Sequence, residues 1–120
     1  VEVAMGLQAY AEHGLFAPQR IAATLRTTRD EVARSVGLGR DALSRADRIG
    51  SARTQTRLRE MVEILNRVSP RFGSDLLAYA WYRSEPLAGF GGQTAMQLVR
   101  EGRAHEVMDY LDAVDAGVHA

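Results

Sequence analysis

The 120-residue chain has fifteen basic residues, all arginine, against fifteen carboxylates, and 46% of its residues are hydrophobic, enough for one compact domain or two small helical subdomains sharing a core. The absence of cysteine excludes a disulfide framework, thiol catalysis and cysteine-ligated zinc and fits a reducing cytoplasm, and no apolar run approaches membrane-spanning length. The zero net charge hides a split: residues 20–71 hold twelve arginines against six carboxylates, and residues 72–120 hold three against seven, which points to an anionic polymer as partner of the first half and a more basic partner for the second.

In chain order, the opening VEVAMGLQAYAEHGLF has no basic lead, continuous apolar run or cleavage motif, so it does not read as a secretory signal. Met5, Leu7, Tyr10 and Leu15 are expected to form a short amphipathic arm or helix before Gly14, within an arm of residues 1–17. Pro18 suits the first turn of a helix reaching about Leu25, with Ile21, Ala22 and Leu25 buried. Thr28 with Glu31 three residues on is a capping-box signature. Val32, Ala33 and Val36 share one helical face, Gly37 supplies a positive φ at its end, and Leu38 folds back into the core. Gly39 then caps a second helix whose stripe is Leu43, Ala46 and Ile49, exposing Arg40, Ser44, Arg45 and Arg48 beside Asp41 and Asp47.

Gly50 and Ser51 punctuate, and a long helix follows to about Val68, its stripe formed by Leu58, Met61, Val62, Leu65 and Val68. Arg53, Arg57, Glu60 and Glu63 lie mainly off that stripe and read as a solvated face. Pro70, Gly73 and Ser74 mark a break between halves, and Ser74 can cap a helix carrying Leu76, Leu77, Ala80 and Trp81. The glycine-rich bend PLAGFGG, residues 86–92, reads as an interhelical turn, because a phosphate-binding loop would need a lysine and a preceding strand. Thr94 and Gln97 cap a helix from Ala95 that ends at Gly102. A last helix over residues 104–116 buries Val107, Met108, Leu111 and Val114, stops at Gly117, and carries Asp109, Asp112 and Asp115 as an acidic flank. Val118, His119 and Ala120 form a tail.

Two stretches resemble known families. TRDEVARSVGLGRDALSRADRIG resembles the helix-turn-helix of Xre-type, Cro/repressor-like DNA-binding proteins, with Ala33, Gly37, Leu38 and Leu43 at that family's core positions. WYRSEPLAGFGGQTAMQLVREGRAHEVMDYLDAVDAG is similar to the toxin-binding domain of Xre/MbcA/ParS-type antitoxins. Trp81, Pro86, Gly89, Thr94, Leu98, Gly102, Val107, Leu111 and Gly117 follow that pattern, whereas Ala95 stands where many relatives carry proline.

The resemblance implies an all-α, multi-helix protein, with a helix-turn-helix domain at residues 18–69 and a toxin-binding domain at residues 74–120. It implies an antitoxin without enzymatic activity, cofactor or metal, which neutralises a co-encoded RES-domain toxin that consumes NAD or transfers its ADP-ribose. It further implies repression of its own operon, a homodimer, a toxin-antitoxin hetero-oligomer and a cytoplasmic location away from membranes. Independently of the resemblance, His13, His105 and His119 are far apart and no catalytic constellation stands out. Arg40, Ser44 and Arg45 are the candidates for base edges or nearby phosphates, with Arg48 and Arg53 on the DNA backbone. For the toxin, the candidates are Trp81, Tyr82 and Phe90 as aromatic anchors, and Asp112, Asp115, Val118, His119 and Ala120 as the acidic end that enters or covers a cationic NAD cleft. The competing expectations are an autonomous helix-turn-helix regulator whose C-terminal half dimerises or senses a ligand, and an interaction module that has lost DNA binding.

Overall fold

The computed structural model describes residues 7–43 and 45–117; Met5, Ser44, Val118, His119 and Ala120, all named above, lie outside them. The described chain is all-α apart from one very small hairpin. None of its helices is long and apolar enough to cross a membrane.

The arm is not an amphipathic helix. A single 3-10 turn, Leu7–Tyr10, leads into two-residue strands, β1 (Ala11–Glu12) and β2 (Leu15–Phe16), paired antiparallel with Ala11 opposite Phe16 and Glu12 opposite Leu15. The connecting His13 and Gly14 have φ of 54° and 80°, the positive values that a two-residue hairpin loop requires at both positions. Phe16 and Tyr10 turn inward. Gln55 fastens the hairpin to the longest helix: its Oε1 accepts from the Phe16 amide at 2.8 Å, and its Nε2 donates to the carbonyls of Phe16 at 3.0 Å and Ile49 at 2.9 Å.

Pro18 opens α1 (Pro18–Thr24), which buries Ile21 and Ala22. In α2 (Arg29–Ser35) the Thr28 hydroxyl accepts from the Glu31 amide at 3.1 Å. The Glu31 carboxylate pairs instead with Arg34, at 3.1 Å, so only the Thr28 half of the expected capping box forms. Gly37 adopts φ +78°, and a Cβ there would sit 2.9 Å from the Cα and the carbonyl oxygen of Arg100. Glycine is therefore demanded twice, by the backbone angle and by the close approach of a distant turn. Leu38 follows it into the core.

The continuous second helix expected over residues 40–49 is not present. A 3-10 turn, Arg40–Leu43, is followed by Arg45 in an extended conformation and then by the single turn α3 (Ala46–Ile49). Among the described residues of this stretch only Leu43 is fully buried, while Ala46 is exposed and Ile49 half-buried. Each short turn thus delivers one large apolar side chain, and Asp41 and Asp47 add little helical preference of their own.

Ser51 caps α4 (Ala52–Phe72), which runs through Pro70 and stops at Gly73 in the left-handed conformation. Pro70 lies in the last turn, where its lost amide donor removes one hydrogen bond and the chain is about to leave the helix anyway. Leu58, Met61, Val62, Ile64, Leu65 and Val68 have no exposed surface. That arc is wider than one stripe because α4 is the central strut, packed against β2 and α5 (Asp75–Ser84), α6 (Ala95–Arg100) and α7 (Ala104–Gly117). One hydrophobic cluster runs through both halves of the sequence, from Ile21 and Val32 to Leu98 and Leu111.

The phase of α5 differs from expectation. Ala78, Tyr79 and Tyr82 face inward, whereas Leu76 and Leu77 are 36% and 53% exposed. This helix is apolar nearly all round, so periodicity alone does not orient it. Polar pairing does: the buried Tyr82 hydroxyl donates to the Ser35 carbonyl at 2.8 Å, and buried Asp75 accepts from Tyr10 and Ser69.

Candidate functional site

The basic surface is assembled from short elements. Arg40 stands on the 3-10 turn, Arg45 precedes α3, Arg48 lies on α3 and Arg53 in the first turn of α4, and all four are exposed. Arg45 has Asp47 within 3.7 Å, with both side chains mostly in solvent, a pairing too weak to withhold it from a phosphate. Arg29, the first residue of α2, was not singled out by sequence reasoning. It shares the lining of a cleft of about 260 Å³ with Ala46 and Ile49, which brings the start of α2 beside α3 and adds a fifth guanidinium to this side. The signal available for it was its place directly after the Thr28 cap, at the positive end of a helix dipole.

The acidic surface lies on α7. Arg67 of α4 donates to Asp112 and to Asp115 at 2.8 Å each, and Arg71 bonds Asp115 as well. The hydrogen bond from Arg67, helped by the charge of Arg71, holds the Asp115 carboxyl below the usual carboxylate range. Asp112 and Asp115 are therefore partly neutralised within the fold, whereas Asp109, also exposed, has no ion pair among the described residues. Phe90 meets the Tyr110 ring edge-on at a centroid distance of 6.0 Å, placing one aromatic candidate against the acidic helix. Tyr82 does not join that surface: it has no exposed area and belongs to the core. Trp81, one residue earlier, is half-buried.

The bend over residues 86–92 is closed on itself. Pro86 bridges Thr94, the Leu87 amide donates to the Gln93 carbonyl at 2.8 Å, and Leu87 is buried. Thr94 and Gln97 complete a reciprocal capping box at the start of α6, which fixes the angle at which α6 and then α7 leave the bend.

Between the two surfaces lie polar contacts that no local pattern announces. Arg57, expected on a solvated face, reaches inward so that its Nη1 donates to the carbonyls of Val36 at 3.1 Å, Val99 at 2.6 Å and Arg100 at 3.3 Å. The C-terminal ends of α2 and α6 thus share one guanidinium, which answers both sets of unpaired carbonyls and both negative helix ends. Glu60 is half-buried rather than solvated, and burial raises its carboxyl above the usual range. The described residues contain no group of three or more histidine and carboxylate side chains placed to hold a metal ion.

Residues 70–117 match the family of the antitoxin Xre/MbcA/ParS C-terminal toxin-binding domain. The match takes in the end of α4, all of α5 to α7 and the acidic flank. No curated protein and no solved structure shows significant similarity to the chain.

Proposed function

We propose that this chain is an antitoxin whose acidic C-terminal half binds and neutralises a toxin and whose arginine-rich N-terminal half binds DNA. The observation that carries the reading is the match of residues 70–117 to an antitoxin toxin-binding family. The charge split of the chain supports it, since the family-matched half is the acidic one.

The toxin is assigned to the RES-domain class, which consumes NAD or transfers ADP-ribose from it, and neutralisation to occlusion of its NAD site. A protein that holds the NAD pyrophosphate needs a cationic, arginine-bearing cleft, and α7 presents carboxylates on one flank. Asp112 and Asp115 enter such a cleft by exchanging Arg67 and Arg71 for arginines of the toxin, with Asp109 and residues 118–120 extending the contact and Phe90 as an apolar anchor. The chain contributes occlusion and no chemistry of its own. On the DNA side, α2, the Gly37 turn and residues 40–49 act as the helix-turn-helix. Because Arg40 and Arg45 stand on separate turns, Arg29, Arg40, Arg45, Arg48 and Arg53 are assigned mainly to operator phosphates. Toxin, operator and antitoxin meet in the cytoplasm, where the chain represses its own operon.

The test is co-expression of the full chain with the adjacent reading frame, following growth and cellular NAD. The full chain is needed because removal of α5 to α7 would open the shared core. Growth rescue and copurification by the wild-type chain, lost with Asp109→Arg combined with Asp112→Arg, support the reading. A harmless neighbour that does not copurify points to an autonomous regulator.

A further inference from the structure

The cleft of about 260 Å³ between the hairpin and α3 is walled by Leu15 and Phe16 of β2, Pro18 of α1, and Ala46 and Ile49 of α3. Two of these walls are fastened to each other. Gln55 donates to the carbonyls of both Phe16 and Ile49, and the Arg59 guanidinium lies over the Phe16 ring, 5.3 Å from its centroid. The cleft is therefore shaped before anything enters it, and a ligand loses little to reorganisation. Leu15 is 42% exposed on its rim, apolar surface that a ligand would remove from water.

The polar groups around the cleft are unequally engaged. Glu12 faces Arg20 at 4.0 Å. Arg29 has no ion pair among the described residues, and the His13 side chain has neither ion pair nor hydrogen bond among them. The hairpin loop holds His13 at φ 54°, which fixes the origin of an imidazole that lines the cleft together with Arg29. A guanidinium presents a planar pair of N–H donors that matches a carboxylate, and an imidazole adds one donor in either tautomer.

We infer that the cleft binds a small molecule with an apolar body and a single carboxylate. The body lies against Leu15, Pro18 and Ile49, and the carboxylate takes Arg29 with His13 beside it. The volume suits about ten non-hydrogen atoms, the size of a phenyl-substituted or short aliphatic acid. Glu12 on the same rim disfavours dianions such as phosphate esters, and its pairing with Arg20 leaves it a poor anchor for amines. Occupancy has a consequence that rests on the DNA-binding reading. Arg29 cannot serve a ligand carboxylate and a DNA phosphate at once, and the bound anion would lie beside the α3 turn that carries Arg48. The acid therefore competes with DNA.

The test follows amide NMR shifts of the full-length chain during titration with phenylacetate, with phenylacetamide and phenethylamine as neutral and cationic analogues of the same body. Saturable shifts are expected around residues 12–19, 29 and 46–49, with a Kd on the order of 0.1–1 mM for the acid and much weaker binding of both analogues. Arg29→Gln should weaken the acid about tenfold, whereas Arg34→Gln, at an exposed arginine outside the cleft, should not. No saturation by about 10 mM, shifts centred elsewhere, an analogue that binds as well as the acid, or an unaffected Arg29→Gln chain overturns the site. Saturating phenylacetate is further expected to weaken duplex DNA binding about fivefold in the wild-type chain and to leave Arg29→Gln unresponsive. A chain that binds the acid with unchanged DNA affinity overturns the competition alone. A chain that binds no DNA even without the acid overturns the DNA reading and the competition with it, while the titration still decides the site.

Discussion

The hydroxyl of Tyr10 donates to the carboxylate of Asp75 across 65 residues of sequence, tying the N-terminal arm to the first turn of α5. Both residues are buried, and Ser69 occupies the other carboxylate oxygen. Tyr10→Phe removes one of these partners while keeping the ring. We expect a loss of about 1–3 kcal/mol, because a buried carboxylate is left short of a donor. The loss should be read as a lower urea midpoint at unchanged denaturant slope.

Alkaline pH should act on the same contact. Burial raises the Tyr10 hydroxyl above the usual tyrosine range, with the hydrogen bond to Asp75 and its charge adding to the effect, and burial also raises Tyr79 and Tyr82. Folding therefore favours the protonated phenols. Their stabilisation is complete below about pH 10, where unfolded tyrosines titrate, and declines as pH rises above that value. Melting temperatures taken across this range should fall in the wild-type chain and fall less steeply in Tyr10→Phe.

Gly37→Ala is expected to be severe and Gly39→Ala mild, although the two glycines are neighbours in sequence. A Cβ on Gly37 meets the Arg100 backbone at 2.9 Å with φ at +78°, while one on Gly39 meets nothing within 4 Å. Denaturation should show a loss of at least about 2 kcal/mol for the first and within about 0.5 kcal/mol of wild type for the second.

Arg57→Ala strands three carbonyls at the ends of α2 and α6. Hydrogen bonds to a charged group support an expected destabilisation of about 2–3 kcal/mol. Arg57→Lys should recover only part of it, because an ammonium does not reproduce the planar guanidinium. Amide exchange is expected to accelerate in both helices at once, a response that loss of a single local contact would not give.

Arg67→Ala separates an internal role for the acidic flank from an external one. The carboxyl of Asp115 should move up toward the ordinary aspartate value of about 3.9, seen by NMR titration, and the stabilisation that this pairing gives above the carboxylate range, lost as pH falls through it, should shrink. If the flank enters a cationic toxin cleft, this variant binds toxin more tightly than wild type, because an internal competitor for Asp112 and Asp115 is gone. Calorimetric titration with purified toxin reads the sign.

Much of the local architecture was legible because it is written in adjacent residues. Thr28, Ser51, Ser74 and Thr94 each accept from an amide three residues on, and Gly37 and Gly102 carry the positive φ at helix ends. The His13-Gly14 loop belongs to the same class, a two-residue signal between short strands that the weak patterning around it obscured. What escaped the sequence depends on distant partners. Neither Arg57 nor Asp75 looks different from a surface charge until α2, α6 and the arm are brought around it. The orientation of α5 is of this kind too. Leu77 outranks Tyr82 in hydrophobicity, yet Tyr82 turns inward because its hydroxyl finds the Ser35 carbonyl. Trp81 and Tyr82 thereby part company, successive side chains on a helix lying about 100° apart.

The contact between Gly37 and the backbone of Arg100 bears on how such chains diversify. A new specificity on either side cannot be acquired by grafting one half onto a foreign other half, since any donor must bring a residue without a side chain at the turn and a matching chain path opposite it. Recombination within this protein should therefore yield viable offspring only when both sides of that seam are inherited together, leaving point substitution on the outer arginines and carboxylates as the open route to a new partner on either face.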